Sequence, residues 1–184
     1  MLDVLTVNDR CESEEGLLET IYRALEYFPR GLWEGANYLG DINVEYDVKV
    51  RSKYGVYGAF VLKNLLEKMK EVKRILQLNN LLLAVTYDPI ITVYHEFDAG
   101  RFKRVANLVH DYFSRDIGLV SFFRVRDDEN AARILAHGLG HSRGLRHHMK
   151  PIDIMYVGLL EHAELENNGF CKECIRKMVD ENSI

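Results

Sequence analysis

The stretch His137-Gly-Leu-Gly-His-Ser-Arg-Gly-Leu-Arg-His-His148 decides how this chain is read. It holds four of the seven histidines in twelve of the 184 residues. The preceding "ENAARILA" is apolar at helical spacing, and Asp127 or Asp128 is a suitable N-cap, so His137 and His141 fall near the end of a helix. Four apart, they share one face, one turn from each other. Gly144 permits a left-handed residue and ends the helix there. The chain then turns back, and His147 can return to the same point. Three neutral imidazoles suit zinc and leave a fourth position open to water, as in catalytic rather than structural zinc sites. Surface histidines on an amphipathic helix are the alternative, but the third histidine behind a glycine makes a metal several times the better reading.

Outward from the motif, the chain alternates strand-like and helix-like segments. "DVLTV" (Asp3–Val7) reads as a strand. A helix follows from about Glu14 to Phe28, with Leu17, Leu18, Ile21, Leu25 and Phe28 as its apolar stripe, Ser13 as N-cap and Pro29 as stop. "INVEYDVKV" (Ile42–Val50) alternates like a half-buried strand, and "YGVYG" reads as a turn. A second helix spans about Ala59 to Leu76. "LLLAVTYD" is nearly continuous in apolar residues and reads as a central strand. "IITVYHEF" (Ile90–Phe97) is more mixed and reads as an edge. "RFKRVANLVHDYF" is a short helix, or a loop and a strand. "IGLVSFFRV" is another strand, and a short helix starts near Cys174. The pattern predicts a single α/β domain over residues 1–184, a mixed sheet with helices covering one face.

Composition limits the function classes. The chain is 47% apolar and 28% charged, enough for a buried core, and its net charge is −4. That balance argues against nucleic acid as partner, since phosphate binding needs a basic excess. The run "KMKEVKR" (Lys68–Arg74) reads as a solvated helix face. No signal peptide and no membrane-spanning stretch is evident, so a cytoplasmic monomer is expected. Three cysteines, Cys11, Cys171 and Cys174, do not make a disulfide framework there. Cys171-x-x-Cys174 points to a metal or to redox chemistry.

With the motif on the page, the chain resembles the archaemetzincin family of the metzincin metallopeptidases. "HGLGHSRGLRH" fits the metzincin signature H-E-x-x-H-x-x-G-x-x-H at every defining position but one. Met155 in "PIDIMYV" stands eight residues after His147, where the family has the methionine of its Met-turn. The resemblance covers about the last hundred residues. It implies a zincin fold with an active-site helix, a catalytic-type zinc on His137, His141 and His147, and a C-terminal segment stapled by a structural zinc. In the family four cysteines hold that second ion. Here His148 and Asp153 stand at the first two positions, and Cys171 and Cys174 at the others. Histidine and aspartate also bind zinc, so two zinc ions are expected.

The one break is Gly138, where the family has the glutamate that takes a proton from the attacking water. Glycine gives the helix nothing, costing about 1 kcal/mol against alanine, and Gly140 repeats that cost. Gly138 is expected to leave room above the metal. Glu96, Glu161 and Glu164 are remote substitutes, more simply read as surface carboxylates, while His95, His110 and His162 read as surface or core histidines. A metal that only staples the fold is a third reading, disfavoured by the open three-histidine site, and two others follow. One is a peptidase acting on a peptide or unfolded protein segment, weakened by the missing base. The other is an inactive pseudo-peptidase that binds peptides through its zinc. Either way the peptide would lie along "IITVYHEF", where Tyr94 and Phe97 read by default as packing residues, with pocket lining as the alternative.

Overall fold

Leu81–Thr86 is buried throughout and runs through the middle of the molecule, as its unbroken apolar run predicts. In this computed structural model, which describes residues 1–8, 14–53, 55–98, 100–125, 127–159 and 165–180, it is strand β5. The other strands are β1 (Leu2–Val7), β2 (Ala36–Ile42), β3 (Val48–Ser52), β4 (Gly55–Val61), β6 (Ile90–Asp98), β7 (Arg101–Val109), β8 (Asp111–Phe113) and β9 (Ile117–Ser121). The helices are α1 (Glu14–Glu26), α2 (Leu62–Ile75), α3 (Asp128–Ser142) and α4 (Lys172–Asp180). Five strands form one sheet in the order β2-β1-β5-β9-β8. Its first four strands are parallel, and β8 closes one edge antiparallel to β9. A second sheet has the order β3-β4-β6-β7.

Helices cover both faces of the five-stranded sheet, not one. Leu2, Val4, Leu83, Val85 and Val120 face α1 and α3 in one core. Leu5, Leu82, Ala84 and Leu119 face Leu65 and Met69 of α2 in the other. The reason lies in strands buried on both sides. β1, β5 and β9 are buried at every position, so successive residues need apolar cover on opposite faces.

Four local expectations change. The segment Asn43–Asp47 is not strand: β2 ends at Ile42 and β3 begins at Val48. Gly55–Val61 is strand β4 rather than a turn, and α2 begins at Leu62. "RFKRVANLV" pairs along its whole length with β6 as a hairpin, which supplies the cross-strand partners its sequence does not reveal. β6 is then an edge only in part: β7 pairs along its whole length on one side, whereas β4 pairs on the other only at Ile90 and Ile91. The edge beside the histidine helix is β8. Ser13, Cys11, Glu161, His162 and Glu164 lie outside the described residues. Among the described residues, no helix is long and apolar enough to cross a membrane.

Candidate metal centre

Helix α3 carries the motif and is anchored at both ends. At its start the Asp127 carboxylate accepts the Asn130 N–H at 2.8 Å, a side-chain N-cap with Asp128 and Glu129 in the first turn. Leu135 and Leu139 are fully buried on its inner face, each worth roughly 2 kcal/mol or more. At its end Gly144 takes φ +74°, and the Leu145 N–H reaches back to the Gly140 carbonyl at 3.1 Å. This left-handed stop turns the chain so that His147 comes back to the helix.

The three rings meet at their Nε2 atoms. His137 Nε2 lies 3.1 Å from that of His147 and 3.1 Å from that of His141. The third side, His141 to His147, is 3.0 Å. The opposite ring nitrogens are committed elsewhere. His137 Nδ1 donates to the Ile154 carbonyl at 2.6 Å, and His141 Nδ1 to the Leu145 carbonyl at 2.9 Å. A neutral imidazole with its proton on Nδ1 presents a bare lone pair at Nε2. Such lone pairs repel at 3 Å and need a cation between them. Tetrahedral zinc, with bonds of about 2.0–2.1 Å, sets its nitrogens about 3.3 Å apart, so the donor set fits that ion. Burial pushes the His137 imidazole down to about 4, against the Ile154 hydrogen bond, and His141 lowers it further. The His147 imidazole is also lowered, first by desolvation and then by His141 and His137. Both shifts favour the neutral form that a metal needs.

Met155 explains the second glycine of the helix. It is fully buried, and its Sδ lies where a Cβ at Gly140 would come within 2.7 Å. The segment around it supports the centre from below. Ile154 offers its carbonyl to His137, and the His148 N–H donates to the Met155 carbonyl at 2.8 Å.

A second cluster lies next door. One ligand atom each from His148, Asp153, Cys171 and Cys174 falls within 4.8 Å of all the others. His148 Nε2 is 3.2 Å from Cys174 Sγ, 3.6 Å from Cys171 Sγ and 3.4 Å from Asp153 Oδ2. Tetrahedral zinc holds a sulfur and a nitrogen about 3.5 Å apart, which these distances match. Asp153 is fully buried, with Oδ1 accepting the Met155 N–H at 2.9 Å and Oδ2 the Cys171 N–H at 2.8 Å. Burial pushes the Cys174 thiol up, and the Asp153 charge and Cys171 add to it. A buried carboxylate beside two thiols calls for a positive charge, which a divalent cation would supply.

Gly138 does not leave room above the metal. A Cβ there would meet the Phe113 ring at 2.0, 2.3 and 2.8 Å. The same ring lies against Gly118 of β9, where a Cβ would come within 2.3 Å. Phe113 thus sits between two glycines and fills the space a side chain at 138 would need. Two positions before it on β8, Asp111 pairs with Val120 and shares the face of Phe113, toward α3. Burial raises the Asp111 carboxyl above the ordinary carboxylate range, while His141, His147 and His110 pull it back. Neither Asp111 nor Phe113 was legible as a site residue, because both precede the motif by more than twenty positions. The trace they leave is the pair of glycines, neither of which has a positive φ to justify it. Glu96, by contrast, stands opposite Lys103 on the exposed β6–β7 hairpin. Tyr94 and Phe97 share that hairpin, where the Phe97 ring packs on Phe102 and the Tyr94 hydroxyl accepts from Asn107, the packing role their default reading gave them.

No protein-family model matches the chain, and no curated protein matches it. Solved structures do. The crystal structure of an archaemetzincin from Methanopyrus kandleri superposes with a TM-score of 0.65 at 19% identity, over 100% of this chain and 96% of that one. The fold is that of the archaemetzincins. A zinc-dependent peptidase from Methanocorpusculum labreanum matches the same archaemetzincin fold at a TM-score of 0.63 and 15% identity, over 97% of this chain and 100% of that one.

Proposed function

We propose that the chain is an archaemetzincin-like zinc metallopeptidase with one catalytic-type and one structural zinc. The observation that carries this is the triangle of three Nε2 atoms converging on one point, with the Nδ1 atoms of His137 and His141 donating to carbonyls. His137, His141 and His147 hold the first ion, and His148, Asp153, Cys171 and Cys174 the second. Zinc bound by three imidazoles lowers the pKa of its water to roughly 7 and polarises a carbonyl. The chain supplies the rest. Ile154 and Leu145 fix the tautomers of His137 and His141, which keeps their Nε2 atoms aimed inward. Buried Met155 and the half-buried second cluster brace the segment that offers the Ile154 carbonyl. An extended peptide docks along β8, the free edge beside α3. Gly138 supplies no proton acceptor, so the helix itself does not complete the reaction.

A second reading is favoured by the Phe113 ring against Gly138: a scaffold that binds peptides without cutting them. The two separate on one experiment. Elemental mass spectrometry on the purified chain should find two zinc per chain, and a mixed peptide library incubated with it should yield new termini. Two zinc with an untouched library makes the protein a binder, and no zinc removes both readings.

A further inference from the structure

Gly138 opens a question that the peptidase reading leaves unanswered: which group takes the water's proton. We propose that Asp111, on edge strand β8, is the carboxylate that serves the open side of the three-histidine centre in place of a side chain at 138. The inference rests on the peptidase reading and adds a residue to it.

Three observations carry it. First, strand register puts Asp111 and Phe113 on the same face of β8, and the Phe113 ring touches Gly138. Asp111 therefore approaches α3 from the side where position 138 points. Second, Asp111 is not a ligand. The group whose donor atoms lie within 4.8 Å of one another contains the three histidines and no carboxylate. Among the described residues no hydrogen bond joins Asp111 to any of the three rings. It stands back from the metal position, as a proton acceptor for bound water must. Third, α3 packs directly on β8, so Asp111 stands in the same layer contact that sets Phe113 against Gly138. A carboxylate so placed is poised to hold and return a proton.

The chemistry balances with no further reagent. As the water oxygen bonds to the peptide carbonyl carbon, one water proton passes to Asp111 and the C=O electron pair moves onto the carbonyl oxygen. When the C–N bond breaks, that pair reforms the C=O, and Asp111 returns its proton to the leaving nitrogen. A carboxylic acid and an amine result, which become carboxylate and ammonium when the acid proton passes to the amine, and Asp111 is again ionised. Phe113 then has a positive role: wedged between Gly118 and Gly138, it fixes the strand that carries Asp111 against the helix.

The test uses the full chain loaded with Co²⁺, whose visible bands report the protonation of groups around the metal. Wild type and Asp111→Asn are titrated side by side, with bound metal measured in each. The expected result is two pH steps in the wild type, loss of the acidic one in D111N, and metal affinity within about threefold. Asp111→Glu should restore the acidic step. The same two steps in D111N would overturn the proposal, and so would a tenfold or larger loss of affinity, which would make Asp111 a ligand. In the zinc form, D111N should lower kcat on any cleaved peptide by about 100-fold or more with KM little changed. A wild type that shows the acidic step and cleaves nothing refutes the peptidase reading while placing Asp111 beside the metal's solvent.

Discussion

Replacing Gly138 by alanine tests the contact that sets this centre apart. In an exposed helix interior the change gains about 1 kcal/mol, because glycine is the poorer helix former. Here the new Cβ would meet Phe113 Cε2 at 2.0 Å and Cδ2 at 2.3 Å. The ring has nowhere to retreat toward the sheet, since Gly118 already abuts its other edge. Overpacking of this kind costs about 1–3 kcal/mol, and swinging the ring out to solvent forfeits a comparable apolar burial. The two effects combine to a net loss of up to about 2 kcal/mol, a fall in Tm of as much as roughly 6 °C for a chain of this size. The assay is thermal and urea denaturation of the metal-free chain, run as a double-mutant cycle with Phe113→Ala. In the F113A background Gly138→Ala should gain about 1 kcal/mol, so the coupling is about 1–3 kcal/mol. A Gly138→Ala variant that melts above the parent with Phe113 in place would refute the wedge and the account of position 138 built on it.

Other outcomes follow from the same geometry. Gly138→Glu alone should gain little peptide cleavage, because the ring occupies its path, whereas Gly138→Glu with Phe113→Ala should cleave faster than either single variant in a quenched-peptide assay. His147→Ala should cut bound zinc from two ions to one by elemental analysis, with the second cluster still filled. Cys174→Ser should instead release the second ion and lower the Tm of the zinc-loaded chain by several degrees. The metal-free chain should lose stability as pH falls from about 6.5 to about 4. Between those values the unfolded His137 binds a proton and the folded one does not, so the folded state is progressively disfavoured. At about 1.4 kcal/mol per pH unit the loss approaches 3 kcal/mol, measured as urea midpoints across that range. A His137→Asn variant should flatten the slope.

Much of the centre was written in local sequence. The i, i+4 histidines, the glycine stop and the Cys-x-x-Cys pair act through helix periodicity and one left-handed residue, which depend on neighbours a few positions away. The same holds for β5, whose unbroken apolar run marks a strand covered on both faces. What only the tertiary structure decided was contact across strands and layers. Cross-strand pairing turned "RFKRVANLV" into half of a hairpin and made β8 an edge strand of the five-stranded sheet. It also brought Phe113 onto Gly138 and put Asp111 on the same face of β8 as Phe113. Register between β8 and β9 and the docking of α3 on that sheet determine which side chains meet there. Both are set by burial over the whole domain, so no short window of residues encodes them.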